Sequence, residues 1–190
     1  LDTLRKENDL PVLGVVEPSC REALAVTKNK KIGMIATLAS ARSGAYERTL
    51  KGLDADVQVV SQPCPLFVPL VENGRFRQGD VVIETVAREY LTPLMEVGVD
   101  TLILGCTHYP LLKDIIGEIC GPGVTLIDSG AASARALRQQ LAAEGPLTDR
   151  QQGETRFYVS DRPEDFEKLA AVFLEEPLSR GAERIDIEQY

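Results

Sequence analysis

The chain has 190 residues, enough for one ordinary domain or two small ones, and its 44% hydrophobic and 26% charged residues are those of a water-soluble globular protein. A formal net charge of −8 speaks against nucleic acid or an anionic membrane as the main partner, and no apolar run is long enough to span a bilayer or resembles a secretory signal. Cysteines at 20, 64, 106 and 120 form no C-x-x-C pair, and one histidine offers no second ligand at zinc spacing, so no metal is expected and free thiols in a reducing cytoplasm are.

The chain opens without a methionine on LDTLRKEN, which reads as the back half of a helix, as though it began inside an element. Residues 11–16, PVLGVV, are a Val-rich apolar run that predicts a buried parallel strand, ended by Glu17-Pro18. Ser19 with Glu22 three residues later predicts a capping box and a helix to about residue 27. A polar turn, 28–30, leads to a strand over 31–36, whose carboxyl end releases Thr37 and Ser40. Those hydroxyls suit a ligand-facing edge and a helix cap equally. A helix is expected over 41–52 with Tyr46 and Leu50 on one face, then a strand over 57–61 broken by Pro63-Cys64-Pro65. A short helix over 66–73 ends at Gly74 and carries Glu72, a carboxylate able to face either solvent or a cleft.

Residues 81–97 predict a long helix with Val82, Val86, Tyr90 and Leu94 toward a sheet and a kink or break near Pro93. Thr101-Leu102-Ile103-Leu104 is a short apolar strand running into Gly105-Cys106-Thr107-His108, and Pro110 suits the first position of a helix over 110–119. After the Gly121-Pro122-Gly123 turn, a strand over 124–127 ends in Asp128-Ser129-Gly130, either of whose first two residues can cap a helix over 131–143 with Ala134, Leu137 and Leu141 on one face. Gly145-Pro146 stops that helix, and 146–154 read as a loop. A strand over 155–160, a helix from Pro163 with Phe166, Leu169, Ala170 and Phe173 toward a core, and an extended 185–187 finish the chain. Strand and helix alternate at βαβ spacing, so the fold class is α/β with mostly parallel sheets flanked by helices. No Gly-rich phosphate loop is present, so no nucleotide cofactor is indicated.

The organising stretch is Thr101 to Pro110. Its only histidine stands two residues from a cysteine at the carboxyl end of a strand, the edge at which open α/β sheets bind ligands. Outward-pointing N–H groups at a helix start favour a thiolate or a substrate carboxylate, so a thiol there can have its pKa lowered. Two chemistries follow. A nucleophilic hydrolase would use His108 as base, although a dyad at two-residue spacing rarely has the geometry. Alternatively, the thiolate removes a proton α to a carboxylate and a second acid returns one from the opposite face, since a single base can only return the proton it took.

Leu104-Gly105-Cys106-Thr107-His108-Tyr109-Pro110-Leu111-Leu112 resembles the second cysteine motif of the bacterial glutamate racemases, in the aspartate/glutamate racemase superfamily. The likeness extends in order over PVLGVVEP at 11–18, Lys31-Ile32-Gly33, Arg42-Ser43-Gly44-Ala45-Tyr46, CPLFVPLVE at 64–72, LIDSGA at 126–131 and Arg156-Phe157-Tyr158-Val159. The resemblance implies two α/β domains with the active site between them, no pyridoxal phosphate or other cofactor, and two cysteines on opposite faces of glutamate. Cys106 would be the second, acting on L-glutamate; Thr107 and His108 would contact substrate, His108 assisting Cys106; Glu72 would tune His108; and Thr37 would lie at the cleft edge. The product D-glutamate would supply peptidoglycan synthesis, with a small-molecule partner, no nucleic acid or membrane, and a homodimer allowed.

The family's Asp-Ser-Gly motif on a leading strand and its Cys-Asn-Thr motif are both missing from this chain. The resemblance therefore implies a complete domain over 19–127 and an incomplete one from 1–18 and 128–190, an exposed apolar sheet edge, and a chain inactive by itself. A sister racemase for aspartate, or a non-catalytic glutamate-binding remnant, are the alternatives.

Overall fold

The computed structural model describes residues 1–7, 9, 11–145 and 153–189. It contains two compact units, Leu1–Pro146 and Leu147–Tyr190. The first begins with helices α1 (Asp2–Glu7) and α2 (Val16–Val26), followed by strand β1 (Lys31–Ala36), α3 (Leu38–Ser43), α4 (Ala45–Leu53) and β2 (Gln58–Pro63). After these come α5 (Phe67–Glu72), α6 (Val81–Val97), β3 (Thr101–Leu104), a 3₁₀ turn over Tyr109–Leu112, α7 (Lys113–Cys120), β4 (Thr125–Asp128) and α8 (Ser129–Glu144).

The four strands form one sheet in the order β2-β1-β3-β4. All three pairings are parallel, with Ile35 beside Leu104 and Leu104 beside Asp128. Alternation along β1 and β3 divides the core between the two faces. Ile32, Met34, Ala36 and Ile103 pack with Cys20, Ala23, Tyr46 and Leu50 from α2 and α4. Ile35, Leu102 and Leu104 pack with Phe67, Val71, Ile83, Ala87, Leu91 and Ile116 from α5, α6 and α7. Both faces are covered, which is why these strands read as unbroken apolar runs. Each fully buried Leu or Ile contributes about 2 kcal/mol of burial free energy.

Several local expectations are corrected. Residues 11–14 form no strand, because no described strand lies beside them; the helix instead starts at Val16. Pro18, expected to end a strand, sits in the first helical turn, where its missing N–H has no partner to lose. Ser19 is therefore inside α2 and its hydroxyl donates to the Val15 carbonyl, while Glu22 accepts from Arg135, so there is no capping box. The helix expected over 41–52 is two helices. Thr37 caps the first, and Gly44, at φ +63°, turns the chain into the second, a left-handed conformation that glycine adopts without steric cost.

Helix α6 runs unbroken through Pro93. Its buried face is Ile83, Ala87, Leu91 and Leu94, whereas Val82 is exposed. A strict four-residue row drifts by about 40° per step around a helix, so the expected row slides off the core face. The helix expected from Pro110 starts as the 3₁₀ turn and becomes α-helical at Lys113. On α8, which packs on α2 and β4, Leu137 and Leu141 are exposed and Ala132 is buried.

The second unit holds β5 (Tyr158–Val159), α9 (Pro163–Leu174), β6 (Glu183–Arg184) and a 3₁₀ turn over Ile187–Gln189. The strand expected over 155–160 shrinks to two residues paired in parallel with β6. Phe166 lies against Phe157 at 5.8 Å but keeps 36% of its surface exposed, and Leu169, Ala170 and Phe173 are only partly covered. Most of the loop expected over 146–154, and Pro146 in the helix stop, lie outside the described residues.

Candidate active site

Cys106 follows β3 at the carboxyl edge of the sheet, one residue beyond Gly105. Gly105 is required there by space. A Cβ on it would stand 3.0 Å from the Ile35 carbonyl oxygen and 3.3 Å from Ala36 Cβ and Met34 Sδ. The Gly105 N–H donates to that same Ile35 carbonyl at 2.8 Å, so β3 is held tightly against β1 up to the residue before the thiol. Gly105→Ala is expected to destabilise the protein by about 2 kcal/mol through overpacking, read as a lower urea midpoint; an unchanged midpoint would contradict the crowding.

Three predicted site residues converge on Cys106. His108 Nδ1 lies 3.9 Å from the Cys106 sulfur and 3.4 Å from the Thr107 hydroxyl oxygen. His108 Nε2 lies 3.1 Å from Oε1 of Glu72, which comes from the end of α5. An ionised carboxylate only accepts, so Nε2 carries the hydrogen, and in the neutral ring Nδ1 is left as an acceptor toward the thiol. Half of the Glu72 side chain remains in solvent. Its charge pairing is therefore worth under about 1 kcal/mol, and its main effect is to orient the ring.

Thr37 directly follows β1, the strand beside β3, and is thus at the same carboxyl edge. Its hydroxyl donates to Ser40 Oγ at 3.1 Å and accepts from the Ser40 N–H at 3.3 Å. Of the two readings left open for these hydroxyls, the structure displays the cap.

Burial pushes the Cys106 thiol above its ordinary value. The N–H groups of His108 and Thr107 and the Thr107 hydroxyl pull the other way, while the Glu72 charge adds to the rise. The N–H groups act in the direction expected of this turn, but burial outweighs them. The lowering that this turn allows is thus not what the structure shows: burial leaves the Cys106 thiol raised.

The other cysteines are differently placed. Cys20 and Cys64 are fully buried; burial raises Cys20 to about 12 and raises Cys64 further. Cys120 ends α7, at the opposite edge of the sheet from Cys106, and burial raises it to about 11. Among the described residues no group of three or more His, Cys, Asp and Glu side chains could hold a metal ion.

Supporting residues that sequence reasoning had read only as cap and face residues also meet here. The Tyr109 hydroxyl donates to the Cys64 carbonyl at 3.1 Å, and its ring meets Phe67 edge-on at 5.2 Å, which bolts the Cys106 turn to the end of β2. Ser129, at the start of α8, donates to the Leu104 carbonyl at 2.9 Å and stands 3.4 Å from the Tyr46 hydroxyl.

A parallel α/β sheet thus brings a thiol, an imidazole and a carboxylate together at its carboxyl edge. The profile of the Asp/Glu/Hydantoin racemase family matches residues 1–137, and the chain belongs to that family. It is 43% identical over 175 residues to the glutamate racemase of Geobacter metallireducens, covering 92% of this chain and 64% of that one. It therefore spans less than two thirds of the length of that curated relative. The glutamate racemase isoform RacE1 of Bacillus anthracis superposes with a TM-score of 0.89 at 36% identity, over 98% of this chain and 68% of that one. The glutamate racemase of Francisella tularensis, solved with D-glutamate, superposes with a TM-score of 0.88 at 30% identity, over 100% and 69%.

Proposed function

We propose that this chain is the Cys106-bearing part of a cofactor-independent glutamate racemase, an isomerase interconverting L- and D-glutamate by two-base proton transfer. The observation that carries the reading is the Cys106–His108–Glu72 series at the end of β3, in a chain of this family. In this reading Cys106, ionised with help from His108, takes the α-proton of L-glutamate, and Glu72 keeps the ring aligned. Thr107, His108 and Thr37 contact the substrate.

Inversion needs a proton donor on the opposite face of the α-carbon. None of Cys20, Cys64 and Cys120 offers one, given their burial or their distant edge. The second group then comes from residues outside these 190, and this chain alone exchanges the α-proton of one enantiomer at most. No described helix is long and apolar enough to cross a membrane; a cytoplasmic role supplying D-glutamate for peptidoglycan follows from the same reading.

Incubation with each enantiomer of glutamate and of aspartate in D₂O, followed by proton NMR and circular dichroism, tests this. A protein containing the whole chain and its second base is expected to exchange and invert glutamate without added cofactor. Faster exchange on aspartate would overturn the substrate assignment. Full racemisation by the 190-residue chain would overturn the requirement for a second base from elsewhere.

A further inference from the structure

The amide between Leu104 and Gly105 is held at both ends. Its N–H donates to Ile35 of β1 at 2.8 Å, and its C=O accepts from the Ser129 hydroxyl at 2.9 Å. Beyond it comes Gly105, the residue type with the widest backbone freedom, and then Cys106. The direction in which the chain reaches Cys106 is therefore set by this one amide and by the close walls around the Gly105 α-carbon.

Ser129 has one hydrogen to donate, and it goes to Leu104, so in the 3.4 Å contact the Tyr46 hydroxyl is the donor. Tyr46 is 5% exposed and comes from α4, Ser129 from the start of α8. Three elements distant in the chain thus meet behind the thiol. The Asp128 side chain already caps α8 by accepting from the Ala131 N–H at 3.0 Å, which leaves the Ser129 hydroxyl for β3.

We propose that Ser129, backed by Tyr46, is a positioning residue for Cys106, keeping the thiol where the Thr107 and His108 groups can stabilise its ionised form. The inference rests on the reading of Cys106 as the proton-transfer group. The titratable groups around that thiol are His108 on its own turn, Glu72 from α5, Tyr46 from α4 and Tyr109 from the following turn. Without the Ser129 bond the Leu104–Gly105 amide keeps only its Ile35 anchor and can tilt about it, and the sulfur drifts from the N–H groups that favour its thiolate. Only the thiolate alkylates, so the loss appears as slower reaction at fixed pH.

The experiment measures iodoacetamide alkylation of Cys106 against pH, resolved by peptide mass spectrometry, with Cys120 as internal reference. Ser129→Ala is expected to move the Cys106 profile up by about one pH unit, which is about tenfold slower reaction below the midpoint. Tyr46→Phe should move it less in the same direction, and Ser129→Thr should restore it. A Cys106 profile unchanged in Ser129→Ala overturns the inference, as does a change shared equally by Cys120, which would signal general loosening. Protection of Cys106 by glutamate in the unmutated protein is a separate arm: its absence counts against the racemase reading while leaving the positioning result to stand or fall by itself.

Discussion

Replacing Cys106 with alanine is expected to reduce α-proton exchange on glutamate about a thousandfold, the scale of a lost general base. The fold should survive, because Cys106 is partly exposed and lies beyond the last residue of β3. Circular dichroism and the urea midpoint should therefore match the parent while exchange falls to background. Glu72→Gln is expected to cost less, since a neutral amide can still face His108 Nε2 but holds the ring tautomer less firmly. The pH dependence has a definite sign. Burial raises the Cys106 thiol, so the thiolate fraction, and with it exchange, should keep rising through and beyond the range in which an ordinary cysteine has already ionised. A rate that levels off below that range would show that another group is the base.

The largest expected effect on stability comes from Asp100, which no catalytic reading touches. Its carboxylate accepts from the Thr27 hydroxyl at 2.6 Å, the Lys28 and Asn29 N–H groups at 2.7 and 2.8 Å, and the Thr101 hydroxyl at 2.9 Å. Its backbone adds an N–H to the Lys31 carbonyl and a C=O to the Thr125 N–H, so one residue ties together the end of α2 and the starts of β1, β3 and β4. Asp100→Ala removes all four side-chain bonds, several of them charge-assisted, and is expected to cost about 3 kcal/mol.

Acid should remove part of the same stability. Burial alone would raise the Asp100 carboxyl, but the Thr27, Asn29, Lys28 and Thr101 donors outweigh it and hold it below the usual carboxylate range. A group lowered in the folded state stabilises fully above its unfolded value, near 4, and loses that contribution as pH falls through the folded value. The gap between parent and Asp100→Ala should therefore be constant near neutrality and narrow below about pH 4. Urea unfolding of both proteins at several pH values measures it, and a gap that stays constant down to pH 2 would contradict the sign.

How much of this was legible in the sequence depended on distance along the chain. Strands β1 and β3 stand at their expected bounds, 31–36 and 101–104, because a strand buried on both faces is a short apolar run that needs no distant information. The Cys106 turn was legible for the same reason. Gly105, the thiol, Thr107 and His108 are consecutive, and the sulfur-to-ring contact spans two residues. The stretch at 11–16 has the same composition as a buried strand and forms none, since a strand exists only where another lies beside it to bond.

By itself, then, the sequence determined the α/β class, the strand carrying the site and the local Cys106–His108 pair. Glu72 could be assigned to His108 only through family resemblance, because 36 residues separate them. The tertiary structure alone decided that Ser129, 25 residues from Leu104 and 83 residues from Tyr46, meets both behind β3. It also decided the direction in which the Cys106 thiol is shifted. Local N–H groups favour the thiolate, but the burial that overrules them is the sum of neighbours from several elements, a quantity that no stretch of chain contains.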